Sequence, residues 1–228
     1  TLNRAADAGE TISGDFLYGS RNSVSARTQV AIKGGRDDRS GGLLIGASYD
    51  RSDGFIPIIS SQRGAIDSRA GYEQLALAIK ANAPIDADSE LQVNLRGFLD
   101  DRDRGIPFSA SRTGGIDASA RLVTRAGGWD LSLLGYAQLR EFQSLFGSVA
   151  ANRATATETL DQFAVPAIGL GARVEGRTDI GAAELRIGAD WRDVSGNTQE
   201  YFSYTAGVAQ RFRKAGGDST TLGGYAEV

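Results

Sequence analysis

The residue types of this chain remove most catalytic chemistry before any motif is sought. It contains no Cys and no His, which excludes disulfides, thiolate catalysis and zinc–thiolate sites, and with them the commonest general base and metal ligand. Asp and Glu total 28, so a carboxylate-only mechanism stays open, yet no acidic pair is distinguished by its spacing. No Gly-x-Ser-x-Gly elbow is present either. The chain therefore reads as a non-enzyme with no cofactor. Small acidic clusters at Asp37 and Asp38 and at Asp100, Asp101 and Asp103 have the oxygen chemistry of a Ca²⁺ site, although acidic loop tips are more commonly just solvated. What remains is binding. Segments 52–70 and 101–115 bring Arg63, Arg102 and Arg104 together with Phe55 and Phe108; a guanidinium can pair an anion while an aromatic ring covers an organic skeleton. Loop residues also serve simply to shield what lies beneath them.

The elements that must carry these residues are strands. The apolar period is two over residues 91–101, where Leu91, Val93, Leu95 and Leu99 alternate with Gln92, Asn94, Arg96 and Asp100. Residues 129–140, 168–177 and 183–192 repeat the pattern, and weaker versions occupy 12–19, 24–33, 43–51, 71–81, 116–125 and 220–228. About ten strands result, many near the roughly 9–11 residues that cross a bilayer on a tilt. No window approaches the ~18–20 uninterrupted apolar residues of a membrane helix. Residues 1–10 are polar and carry no secretory signal, so an exported protein would start upstream.

Connections sort into two classes. Short ones are expected at 34–42, 82–89, 126–128 and 178–181, and long ones at 52–70, 101–115, 143–166 and 193–219, with a tight link at 19–23 breaking the pattern. Trp129 stands at a short-turn end of the apolar face, Trp191 and Tyr49 at long-loop ends, as aromatic girdles would require. Strand-end aromatics in a soluble sandwich are the plainer alternative. Of 25 basic residues only Lys33, Lys80 and Lys214 are not Arg. A watery lumen would keep Arg27, Arg96, Arg121, Arg173, Arg177 and Arg186 solvated or paired, as a packed core would not. The apolar face is poor in bulk, which suits lipid better than a core that must be filled. The net charge of −3 gives no support to a nucleic-acid partner.

Four stretches then carry a family resemblance: Ser-Tyr-Asp-Arg-Ser-Asp-Gly-Phe-Ile-Pro at 48–57, Asp-Arg-Asp-Arg-Gly-Ile-Pro-Phe-Ser at 101–109, Gly-Ala-Asp-Trp-Arg at 188–192 and Gly-Gly-Tyr-Ala-Glu-Val at 223–228. In order and on expected strands, they resemble barrel segments of TonB-dependent outer-membrane receptors. The resemblance implies an all-β, antiparallel up-and-down transmembrane β-barrel segment over residues 1–228, surrounded by outer-membrane lipid of a Gram-negative bacterium. It further implies active uptake of a bulky nutrient, most commonly a ferric siderophore, sometimes a cobalamin or an oligosaccharide. Phe55, Arg63, Arg102, Arg104 and Phe108 would then be ligand contacts. The family barrel has about 22 strands around a plug, so about ten strands make an incomplete barrel. Neither plug nor TonB box is found, and 228 looks like mid-strand, so a receptor fragment is expected, left open at both edges and poorly soluble without detergent. TonB would be reached through a plug not present in this chain. A passive porin, a soluble all-β binding module and, last, an outer-membrane hydrolase are the competing readings.

Overall fold

The computed structural model describes residues 10–36 and 39–228. Eleven strands follow in chain order: β1 (Thr11–Gly19), β2 (Ser23–Arg36), β3 (Arg39–Phe55), β4 (Ala70–Pro84), β5 (Ser89–Asp103), β6 (Ala110–Ala126), β7 (Trp129–Val149), β8 (Ala156–Ala164), β9 (Ala167–Ile180), β10 (Ala183–Thr205) and β11 (Val208–Glu227). Apart from one 3-10 turn at Ser60–Gln62, the described residues form no helix. All strands belong to one antiparallel sheet in which each pairs with its neighbour in sequence, up to β8. Strands β8 and β9 then share a single lane between β7 and β10. Pro166, which has no N–H for the ladder, separates them, and Val165 bridges the gap by exchanging hydrogen bonds with Phe142 at 3.3 and 2.9 Å. The sheet is thus ten lanes wide. Strands β1 and β11 are its edges, and among the described residues neither has a partner on its outer side.

Two expectations about length are corrected. The strands mostly run 14 to 23 residues, well past the apolar stretches that marked them. Segments 143–166 and 193–219, expected as long loops, are largely strand: β7 reaches Val149, β8 begins at Ala156, and β10 and β11 are joined by Ala206 and Gly207 alone. The backbone ladder continues through residues polar on both faces, because the hydrogen bonds do not depend on side-chain polarity. Ala206 (φ 49°) and Gly207 (φ 78°) make the two-residue turn with both φ angles positive that suits the strand twist. An Ala at the first of these positions gives no turn signal. Connection 56–69 is long, 104–109 and 150–155 are short caps at the same end, and the opposite end has the compact links at 85–88, 127–128 and 181–182.

Register fixes which side chains share a face, since directly opposed residues project the same way. One row joins Ile12, Val30, Ile45, Ile79, Leu95, Ala118, Ala137 and Leu170. The next row, on the other face, includes Ala78, Arg96, Asp117 and Gln138. Apolar residues concentrate on the first face and charged ones on the second, with Leu44 and Leu134 as apolar exceptions on the charged face. A row starting at Leu43, low in the apolar stretch of β3, reaches Trp191, at the top of that of β10. The apolar band therefore runs obliquely to the strands, as it must when strands tilt against the plane that the band marks.

Among the described residues nothing covers the apolar face. Among the described residues Ala31 is the only buried hydrophobic, whereas Leu77, Leu95, Leu99, Ile116, Leu133 and Val174 are each more than 40% exposed. The buried polar groups Asn82, Ser144, Glu175 and Glu200 outnumber it. This inverts a soluble fold, where burial of apolar surface supplies the driving force.

Candidate functional site

The polar face is where side chains from distant strands converge. Opposed residues Asp15, Arg27, Ser48, Ala76 and Phe98 form one row, and Ser13, Gln29, Gly46, Ala78, Arg96 and Asp117 the next. They line a groove of about 580 Å³ spanning β1 to β6. Small residues at 46, 76 and 78 leave the space, and charged or aromatic residues bound it. Asp117 closes one side, accepting from Arg140 Nη2 at 2.6 Å and Gln138 Nε2 at 2.9 Å.

A second convergence centres on Glu175 of β9. Its carboxylate accepts from Arg173 at 2.7 Å, from Arg177 at 2.9 and 3.0 Å, from Arg186 at 3.1 and 3.2 Å, and from the Tyr225 hydroxyl. Three guanidiniums share one nearly buried carboxylate, and Glu227 lies 4.0 Å from Arg186. Tyr225 arrives there because its ring lies over Gly188, where a Cβ would stand 2.6 Å from the ring. A third node is Glu200, fully buried, which accepts from Arg213 and, at 3.1 Å, from Gln162.

Guanidinium–aromatic couples recur over this face and its rim: Arg21 with Phe55, Arg102 with Tyr72, Arg104 with Phe146, Arg140 with Phe98, Arg173 with Tyr225 and Arg213 with Phe202, at 5.2 to 6.0 Å. Four of these guanidiniums, Arg102, Arg140, Arg173 and Arg213, are also paired with carboxylates. A surface built this way can attract an anion and cover an extended organic body without burying an unpaired charge.

The five residues singled out from sequence divide. Phe55, Arg102 and Arg104 each belong to such a couple. Two of the three are strand residues instead of loop residues: Phe55 ends β3, and Arg102 lies in β5, its Nε donating to Asp100 at 2.9 and 3.1 Å. Arg63 is a loop residue whose Nε donates to the Ile58 carbonyl at 2.7 Å. Phe108 holds a left-handed backbone (φ 57°) and packs beside Gly147. Among the described residues no side-chain hydrogen bond, ion pair or ring contact links the five to one another. The acidic clusters divide as well. Asp100 and Asp101 pair with Arg102 and Arg112, Asp103 accepts from the Gly105 amide at 2.8 Å, and Asp37 and Asp38 lie outside the described residues. No group of three or more potential ligands that could hold a metal occurs among the described residues.

Sequence reasoning missed Tyr72, Phe98, Phe146, Phe202 and Tyr225. The available signal was an aromatic at a polar-face position, as Phe98 is between Arg96 and Asp100. It also missed Asp67 and Arg153, which meet across the loops. Asp67 is 1% exposed and accepts from Arg153 Nε at 2.8 Å and from the Gly64 amide at 2.8 Å. Hydrogen bonding from Arg153 first, then from Gly64, holds the Asp67 carboxyl down at about 2, and raises the Arg153 guanidinium in return. No protein-family model matches this chain, and no curated protein matches it.

Proposed function

We propose that the protein is the outer-membrane part of a TonB-dependent receptor for active uptake of a bulky nutrient, a ferric siderophore in the first instance. One observation carries this reading: among the described residues a single ten-lane sheet has one face with a broad, uncovered apolar band and the other charged, with no hydrophobic core between layers. Water would oppose such a face. A hydrocarbon surround satisfies it without a packing partner, and the interstrand ladder satisfies the backbone groups that lipid cannot. Trp129, Trp191 and Tyr49 at the borders of the band support the same placement, with charges beyond them: the Tyr49 hydroxyl donates to Glu73 at 3.1 Å and Arg112 pairs with Asp101 at 3.2 Å. The grooved polar face would be the lumen wall, and its guanidinium–aromatic couples would meet an anionic chelate with an organic skeleton. The siderophore and the TonB coupling rest on the resemblance of the strand motifs.

The test is uptake by cells carrying the full-length gene. Labelled ferric trihydroxamate, ferric tricatecholate and ferric citrate are supplied with TonB present or deleted. Uptake of at least one that requires both the gene and TonB is the expected result. Uptake independent of TonB assigns a passive channel, and recovery of the protein in the soluble fraction without detergent assigns a soluble module.

A further inference from the structure

The connection 56–69 does not stay above its own hairpin. It passes the neighbouring β5–β6 connection, 104–109, and reaches the β7–β8 connection, 150–155. On the near side the Ser68 amide donates to the Gly105 carbonyl at 2.9 Å. On the far side Arg153 Nε donates to both Asp67 oxygens, at 3.1 and 2.8 Å, with Nη2 adding a further bond to Oδ1, and the Ile66 amide donates to the Arg153 carbonyl at 3.3 Å. Asp67 is 1% and Arg153 24% exposed. Removing the Asp67 carboxylate leaves the Arg153 guanidinium and the Gly64 amide without their shared partner.

The backbone is shaped for the crossing. Arg153 is left-handed (φ 53°), with its amide donating to Ala150 at 2.8 Å. Gly64 lies so close to Arg153 that a Cβ would collide with the Arg153 carbonyl, and a Cβ at Gly105 would stand 2.8 Å from the Ser68 carbonyl. Segment 104–109 is braced in turn by the Arg104 amide donating to Ser109 at 2.9 Å.

We propose that Asp67 and Arg153 are positioning residues that lock these three connections into one cap, and so set the spacing of Arg63, Arg104 and Phe108 without touching ligand. The ligand part of this inference rests on the receptor reading above; the locking does not. A cap ordered in advance spares a ligand the cost of ordering three separate loops, and a cap joined at one buried pair opens as a unit.

The experiment uses the full-length protein in detergent and compares wild type with Asp67→Asn, Arg153→Lys and Arg125→Ala by amide hydrogen exchange. Folding of each is checked by the shift between heated and unheated samples on a gel. Asp67→Asn is expected to raise exchange together in peptides covering 64–68, 104–109 and 150–155. Arg153→Lys, which keeps the charge and loses the fork, should do so to a smaller extent, and Arg125→Ala, which breaks the ion pair with Asp130 at the opposite end of the sheet, should leave all three as in wild type. A rise confined to the connection that bears the substitution overturns the locking. Affinity for the three ferric chelates is then measured, with a loss on the order of tenfold expected for Asp67→Asn. If wild type binds none of them, the receptor reading fails while the exchange result still decides the locking. Coupled exchange with unchanged affinity overturns the positioning role.

Discussion

Replacing Leu95 with Arg separates a lipid-facing sheet from a water-facing one. Leu95 is central in the apolar face: Ile79 and Ala118 oppose it on either side, and Val93 and Gly97 flank it on its own strand and face. In water its 42% exposure leaves little to lose, because the Arg stem covers the same neighbours while its head stays solvated; the change would cost at most ~0.5 kcal/mol, as for ordinary surface positions. At the middle of a bilayer the same guanidinium costs about 2–4 kcal/mol. Leu99→Arg should cost only ~0–1 kcal/mol, because depth governs the penalty and the next residue on that face, Asp101, already pairs with Arg112. Asn94→Arg, one residue away on the opposite face, should cost no more than about 1 kcal/mol, mainly its 3.4 Å bond to Ser119. The assay is reversible denaturant unfolding of the full-length protein from lipid vesicles. Leu95→Arg within ~0.5 kcal/mol of wild type, or Asn94→Arg equally costly, would refute the assignment of faces.

Glu175→Gln leaves Arg173, Arg177 and Arg186 without their shared carboxylate, but the three are 34–46% exposed; the expected loss is about 1–2 kcal/mol in the same assay, with Tyr225→Phe losing less. Asp67 is depressed to about 2 from its usual 3.8, so its contribution is complete above pH 4 and disappears as pH falls through about 2; the melting difference between wild type and Asp67→Asn should follow that course, and a difference that persists unchanged at the acid end would count against the ion pair. Gly64→Ala places a methyl against the Arg153 carbonyl and should loosen the cap as Asp67→Asn does, read by protease cleavage within 56–69. Phe98→Ala removes the ring beside Arg140 and should lower stability by roughly 0.5–1 kcal/mol beyond the lost packing, measured in the same unfolding assay.

By itself the sequence determined what depends on nearest neighbours along the chain. Alternation at 91–101 and 183–192 assigns strand and face together, because successive side chains of a strand must point opposite ways, and the structure keeps Leu91, Val93, Leu95, Leu185 and Ile187 on one face and Arg96, Arg186 and Asp190 on the other. The two-residue link at Gly127 and Gly128 was legible for the same local reason, as Gly reaches positive φ freely. Strand ends were not legible. In 193–205 and 208–219 both faces are largely polar, so only the backbone ladder with the neighbouring strand makes these residues extended, and a ladder leaves no trace in one strand's sequence. The site was less legible still. Arg173, Glu175 and Arg177 announced themselves as an alternating charged run, but that Tyr225 and Arg186 complete the node is decided by the registers of β9, β10 and β11. Asp67 and Arg153, 86 residues apart, meet only because four strands between their connections place the loops at one end of the sheet. Contact at that separation is a property of the assembled sheet, since pairing register and turn geometry must be set before either side chain has a partner.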